Sequence, residues 1–343
     1  MRVLMVGPAR EVHGGVSAVI NNYYEAGLDK KIEMEYLPSM KDGSKWCKLF
    51  VALGAYTKFV CIAWKYDIVH IHMASDSSFY RKSLFILLTK IYRKKLIVHE
   101  HGGNFREFYY ESKSKLKQQF ICRVLNLADK FIVLSEEWYD FFTPIVKKEL
   151  LQIVNNAIVV PDITEKDYRN HNILYLGRIT PEKGIRELIT SFEQVRKKYP
   201  DSVLYLGGIF EEEAFSREIE GREGVRFLGW IGQEQKNKML SECSIFALPS
   251  YFEGQPISLL EAMACGCCCI ATQVGGIPQI INHNNNGILV ESKKQEQLTN
   301  SLLSVIDNAE IKSRMGAEAK NTIREKYDIQ LRIEQLLEIY KSI

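Results

Sequence analysis

The sequence predicts an α/β protein built from two doubly wound, parallel-sheet domains in tandem. Three observations carry this expectation. Short apolar runs alternate with helical patterns along the whole chain. The alternation breaks once, near residues 155–170, and then restarts. The 343 residues, 46% hydrophobic and 25% charged, suffice for two ordinary globular domains and exclude a disordered, collagen-like or coiled-coil chain.

In the first half, residues 3–7, 67–72, 96–100 and 130–134 read as strands. Parallel strands covered on both faces are continuous apolar runs, and these are such runs. Helical periodicity lies between them at residues 16–26, 46–64, 83–92 and 116–127. In the second half, residues 172–177, 202–207, 225–228, 243–248 and 267–271 read as strands. Helices are expected at residues 184–198, 233–241, 257–264 and 295–306. Pro161, Asp162, Asp167 and Asn170 interrupt the periodicity, which divides the chain into 1–160 and 161–327. Ligands of doubly wound sheets bind outside the strand carboxyl ends, so the cleft between the domains is the expected site.

The net charge of +3 is too small to mark a nucleic-acid binder. It is unevenly spread: residues 1–160 hold 23 basic and 16 acidic side chains, and the remainder 22 and 26. A basic first half suggests an anionic partner there, a membrane surface or a phosphorylated molecule. Phe79-Tyr80-Arg81-Lys82, Arg93-Lys94-Lys95, and Tyr109, Tyr110, Lys113, Lys115 and Lys117 fit either solvated helix faces or peripheral contact with an anionic leaflet. Residues 46–64 are largely apolar, but Lys48 and Lys58 within them argue for a helix packed in a domain or resting on a membrane, not crossing one. Met1 to Gly7 reads as a first strand rather than a signal peptide. The eight cysteines show no disulfide spacing, and Cys265, Cys267, Cys268 and Cys269 read as reduced, buried strand residues. The expected location is the cytoplasm, with peripheral contact at the inner face of the plasma membrane.

Four stretches carry chemistry. Gly177-Arg178-Ile179-Thr180-Pro181-Glu182-Lys183-Gly184 follows a strand and precedes an apolar-periodic helix. Thr180 is expected as N-cap and Pro181 as the first helical residue. Lys183 would then oppose the helix dipole, a conflict that an anion at that end removes. Arg178 and Lys183 would converge on a phosphate or diphosphate, or else be solvated surface cations. In the second stretch, residues 249–266, a loop with Glu253 and Gly254 leads into a helix starting near Pro256. The N–H groups of its first turn suit phosphate oxygens. Glu261 sits in an otherwise apolar helix, as an acceptor for vicinal hydroxyls, as the partner of a neighbouring arginine, or at an exposed helix position.

The third stretch, Gly7-Pro8-Ala9-Arg10-Glu11-Val12-His13-Gly14-Gly15, lacks the dinucleotide fingerprint, but Gly14 and Gly15 at a helix start permit close approach of a phosphate or sugar. The fourth comprises His70-Ile71-His72 and His99-Glu100-His101, each with two imidazoles on one face at a strand end. That spacing is compatible with a metal, but no metal site is expected: His101 is expected to hydrogen-bond a substrate and the other three to be structural.

Together these motifs resemble retaining glycosyltransferases of family 4, which have the two-domain GT-B fold. The resemblance spans essentially the whole chain. It is densest at residues 177–184, at Glu253-Gly254 with Glu261-Ala262-Met263-Ala264, and at Gly275-Gly276-Ile277-Pro278. Residues 67–72 and 99–104 are similar to bacterial capsule, exopolysaccharide and O-antigen members. The resemblance implies that Arg178 and Lys183 grip a donor diphosphate and that Glu253 contacts the donor sugar. It assigns Gly254, Gln255, Pro256 and Ile257 to sugar and phosphate, and Glu261 to the ribose. It sets Gly14 and Gly15 beside the phosphates and His101 near the reacting carbon. It also implies that residues 328–343 form a helix crossing back onto the first domain. Cys267 and Gln279 depart from the family pattern, where proline and glutamate are common.

The expected reaction is transfer of a sugar from a nucleotide-sugar, a UDP-sugar by default, to a hydroxyl of a growing lipid-linked surface glycan. The first domain would bind the acceptor and the second the donor. The anomeric configuration would be retained, domain closure would complete the site, and no cofactor is expected. The chain holds no Asp-x-Asp signature, so no divalent ion is expected either. A nucleotide-sugar epimerase is the alternative; a dehydrogenase and a non-catalytic sugar-nucleotide sensor are more distant ones.

Overall fold

A computed structural model describes the chain except residues 112–113, 162–165 and 220, and the side chain of Lys45. Asp162 and Lys113, named above as a boundary marker and a basic-cluster member, lie outside the described residues. The chain divides into two compact units, Met1–Val159 with Ile329–Ile343, and Val160–Asp328.

The first unit contains, in order, β1 (Arg2–Gly7), α1 (Gly15–Glu25), α2 (Leu28–Lys31), β2 (Glu33–Pro38), α3 (Lys45–Ile62), β3 (Ile68–Met73) and α4 (Asp76–Ile91). It continues with β4 (Lys95–Glu100), α5 (Phe105–Tyr110), α6 (Lys115–Leu125), β5 (Lys130–Val133), α7 (Glu136–Phe142) and β6 (Leu151–Ile153). The strands form one sheet in the order β2-β1-β3-β4-β5-β6. Every pairing in it is parallel. Val3 to Val6 are fully buried, as a strand covered on both faces requires. On one sheet face Val69, Ile71, Leu96 and Val98 share a core with Ala55 and Phe59 of α3 and with Phe85 and Ile86 of α4.

The second unit runs β7 (Asn172–Leu176), α8 (Ile185–Lys198), β8 (Val203–Gly207), α9 (Glu213–Ile219), β9 (Val225–Gly229), α10 (Gln233–Glu242) and β10 (Ile245–Leu248). Then come α11 (Ile257–Ala264), β11 (Cys268–Thr272), α12 (Ile277–Ile280), β12 (Ile288–Val290), α13 (Gln295–Val305) and α14 (Ala309–Lys326). Its sheet is also parallel, in the order β12-β11-β10-β7-β8-β9. Helix α8 buries Ile185, Leu188, Ile189, Phe192 and Val195, one stripe at helical spacing, and ends on Arg196, Lys197 and Lys198, which complement the carboxyl end of the helix dipole. Cys267, Cys268 and Cys269 are free thiols with no exposure, packed as small hydrophobes.

Helix α15 (Ile329–Lys341) belongs to the first unit. It buries Ile333, Leu336 and Tyr340, and the Gln335 side chain donates to the Ile153 carbonyl at 2.8 Å.

Two local readings are corrected. Helix α4 begins at Asp76, seven residues ahead of the expected start at 83, so Phe79-Tyr80-Arg81-Lys82 is helical rather than a lead-in. Strand β2 has no counterpart among the expected strands, because Glu33 and Glu35 hide its pattern at a sheet edge.

Candidate active site

In each sheet the first strand sits between the strand that follows it and one reached by a return crossing. The switch points therefore lie between β1 and β3 in the first unit and between β7 and β10 in the second. The crevice outside strand carboxyl ends at such a point is where doubly wound sheets bind ligands.

At the second switch point the chain leaves β7 through Gly177 and Arg178. Buried Tyr175 donates its hydroxyl to the Arg178 carbonyl at 2.6 Å, which fixes the exit. Pro181–Lys183 forms one turn of 3-10 helix, and Gly184 follows in the left-handed region at φ +69°. A Cβ on Gly184 would lie 2.1 Å from the Pro249 carbonyl oxygen, so both the backbone angle and the close approach demand glycine. This corrects the expected cap. Thr180 and Pro181 hold the N-cap and first positions of the 3-10 turn, Thr180 without a side-chain cap bond, whereas Gly184 precedes α8. Lys183 consequently lies just ahead of α8 rather than in its first turn.

Lys183 instead donates to Glu253 Oε1 at 2.6 Å, joining the loop after β7 to the loop after β10. The Tyr251 N–H donates to the Glu182 carbonyl at 2.8 Å and ties the same two loops. Arg178 pairs with Glu211 at 2.6 Å, and both side chains are nearly half exposed. The two cations are thus held by different carboxylates. Lys236 of α10 pairs with Glu261 of α11 at 2.5 Å, with both side chains largely buried. Glu261 is therefore neither exposed nor paired with an arginine in this contact; its partner here is a lysine of the preceding helix. Glu211, Lys236 and Tyr251 were not singled out in the sequence. The first two are separated from their partners by 33 and 25 residues, and no local pattern links them.

Gly254, Gln255 and Pro256 continue the loop, Pro256 capping α11, whose first residue is Ile257. The Gly276 N–H donates to the Gly254 carbonyl at 2.7 Å. A Cβ on Gly275 (φ +55°) would stand 1.8 Å from the Glu253 carbonyl oxygen. The Gly275-Gly276 pair therefore serves as the platform for the Glu253 loop.

In the first unit, Gly14 precedes α1 in extended backbone and offers no side-chain cap. A Cβ on Gly15 would meet nothing within 4 Å. His101 follows β4, and its N–H donates to the Met73 carbonyl at the end of β3 (2.8 Å).

His101 caps a layered array of four imidazoles on β3 and β4. Ring centroids are 4.5 Å apart for His70 and His72, 5.2 Å for His72 and His99, and 4.1 Å for His99 and His101. Tyr340 of α15 meets His70 Nδ1 at 2.7 Å, and His72 Nδ1 meets His101 Nε2 at 2.8 Å. Burial pushes His70 and His101 down to about 3, and His72 and His99 well below the usual imidazole value. All four rings are neutral at pH 7. Ring nitrogens of His70, His72 and His99 lie within 4.8 Å of one another.

The family profile of glycosyl transferases group 1 matches residues 161–322, within the second unit. An N,N'-diacetylbacillosaminyl-diphospho-undecaprenol alpha-1,3-N-acetylgalactosaminyltransferase from Campylobacter jejuni is 23% identical over 339 residues, covering 94% of this chain and 81% of the relative. Sucrose-phosphate synthase from Thermosynechococcus elongatus superposes with a TM-score of 0.83 at 17% identity, covering 100% of this chain and 98% of that one. Anabaena HepE in complex with UDP and glucose superposes with a TM-score of 0.79 at 18% identity over the full length of both. The architecture is that of GT-B glycosyltransferases, with two parallel six-stranded sheets. The match to the group 1 profile is thus confined to residues 161–322, while the Campylobacter relative, itself a glycosyltransferase by name, aligns along nearly the whole chain.

Proposed function

We propose that the protein transfers a sugar from a nucleotide-sugar, with UDP-sugars the first donors to test, to a hydroxyl of a growing lipid-linked surface glycan, retaining the anomeric configuration. The observation that supports this most directly is the Lys183–Glu253 pair at the second switch point, with Arg178 in the same loop as Lys183, just after β7. The Campylobacter relative is named for an undecaprenol-diphosphate-linked substrate, and HepE was crystallised with UDP and glucose. Both point the same way.

The chemical task is to stabilise a departing diphosphate. Arg178 and Lys183 would exchange their carboxylates for phosphate oxygens, and Glu253 would turn to a sugar hydroxyl. Gly254, Gln255, Pro256 and Ile257 would present backbone to sugar and phosphate, and Glu261 would accept from the ribose. Gly14 and Gly15 would let the donor approach α1 of the first unit, where the acceptor also binds. His101, neutral, would hydrogen-bond near the reacting carbon. The sugar C1–O bond to the diphosphate breaks and the acceptor oxygen bonds C1 on the same face. Its proton passes to a phosphate oxygen of the leaving group. Fixed positive charge aimed at developing negative charge is the main catalytic term, and no divalent ion is required.

Arg178→Ala should lower turnover by roughly 10²–10³, the usual cost of losing one such donor group. Turnover near wild type, or isomerised donor appearing without acceptor, would count against the assignment.

A further inference from the structure

Helix α3 carries two apolar stripes where a surface helix needs one. Ala52, Ala55, Phe59 and Ala63 just beyond its end are buried in the first unit. Trp46, Phe50, Leu53, Val60 and Trp64 recur at intervals of three, four and seven on a different face, and are 71%, 69%, 49%, 44% and 58% exposed. The next helix repeats the pattern. Between Tyr80 and Ile91 of α4 the most exposed positions are Tyr80, Leu84, Leu87 and Ile91, 40–73% exposed and again at intervals of four and three. An ordinary helix places its polar residues at such positions.

The two helices cover the same sheet face, since Phe59 and Phe85 share one core and their rings meet at 5.2 Å. Their outward stripes therefore form one surface. Lys48, Lys65, Arg93 and Lys94 lie along these helices and at their ends. Residues 45–95 hold ten basic and two acidic side chains, and α3 has no acidic residue. Residues 46–65 are long and apolar enough to cross a membrane. However, α3 joins β2 to β3 of a single sheet and packs on its core, so it cannot leave that sheet to span a bilayer.

We infer that the outward face of α3 and α4 docks in the interface of an anionic bilayer, with the apolar stripes at the acyl boundary and the basic side chains among lipid phosphates. A second copy of this chain is the weaker occupant, because a two-fold contact would set these basic residues against their own kind. Trp residues at both ends of α3 suit a helix lying in the interface plane. The inference gains its purpose from the lipid-linked acceptor proposed above, but its evidence is independent of the transfer site.

The test is flotation of the full chain with vesicles of phosphatidylcholine, with and without phosphatidylglycerol. Binding should be at least about ten-fold stronger on the anionic vesicles, since each basic side chain near the surface is worth roughly five-fold. Trp46 and Trp64 fluorescence should shift to the blue on binding. Phe50→Glu with Ile91→Glu should cut binding about ten-fold or more, with unchanged circular dichroism and donor hydrolysis. Lys48→Glu with Lys65→Glu, which leaves every apolar side chain in place, should do the same on anionic vesicles only. Equal flotation with both lipids, no flotation, or a dimer that Phe50→Glu dissociates would overturn the inference. A chain that floats yet moves no sugar would keep the docking surface and end the transferase reading. A chain that transfers to a soluble acceptor but never floats would do the opposite.

Discussion

Glycines divide into those the fold demands and those it tolerates. Gly275 stands in the left-handed region with its would-be Cβ inside the Glu253 carbonyl, so Gly275→Ala must displace the loop that carries Glu253 and Gly254. A cost of about 1–3 kcal/mol in stability is expected, together with loss of activity. Gly15 has no positive φ and open space around its Cβ position. Gly15→Ala should therefore leave the melting temperature within about one or two degrees, or raise it slightly, because alanine is the better helix former. If a donor approaches that helix start, KM should nonetheless rise. Thermal melts and donor kinetics on both variants separate the two roles; an active, unaltered Gly15→Ala enzyme would remove Gly15 from the donor site.

At the scale of elements, the histidine array links β3, β4 and α15, and it has a pH signature. The unfolded imidazoles titrate near 6.5, whereas burial holds His70 and His101 at about 3 and the others low. Below pH 6.5 the unfolded chain takes up protons that the folded chain refuses. Stability is thus full above that pH and is lost as pH falls toward 3, by up to ~1.4 kcal/mol per pH unit for each ring kept neutral. His99→Leu removes one ring whose two nitrogens are buried without a hydrogen-bond partner. It should flatten the dependence of the urea midpoint between pH 7 and 5.5; an unchanged slope would refute the neutral array. The sequence disclosed the two His-x-His pairs but not their stacking, which depends on β3 and β4 being neighbours in register, His72 opposite His99. The same limit explains the misplaced cap at Thr180. Buried parallel strands and the turn after β7 were legible because they are local apolar runs and glycine signals. What Gly184 must do is set by Pro249, 65 residues away, and the partners of Arg178, Lys183 and Glu261 are set by other strands and helices. Helix α4 was read short because its exposed positions are apolar, which blurs the stripe that marks a helix.

For the whole molecule, the two units differ in charge as well as in sequence signals. Helix α15 and its flanks add two bases and two acids to the first unit, which keeps a net +7 against −4 for the second. A diphosphate therefore gains nothing from the overall field of the second unit and must be held by local groups, Arg178, Lys183 and loop N–H donors. Such binding leaves a local record. Hydrogen exchange with UDP, GDP or ADP at saturating concentration should slow residues 177–184 and 249–261 together, with a weaker effect at residues 12–17. The edge strand β9 and helix α9 should be unchanged. At one hundred times Kd the ligand stabilises the unit that holds it by about 2.7 kcal/mol, enough to raise its melting transition by several degrees. The nucleotide producing the largest shift identifies the donor base. Protection spread evenly over the second unit, or confined to residues outside the two loops, would mean that the diphosphate is held elsewhere, and the roles proposed for Arg178, Lys183 and Glu253 would fall together.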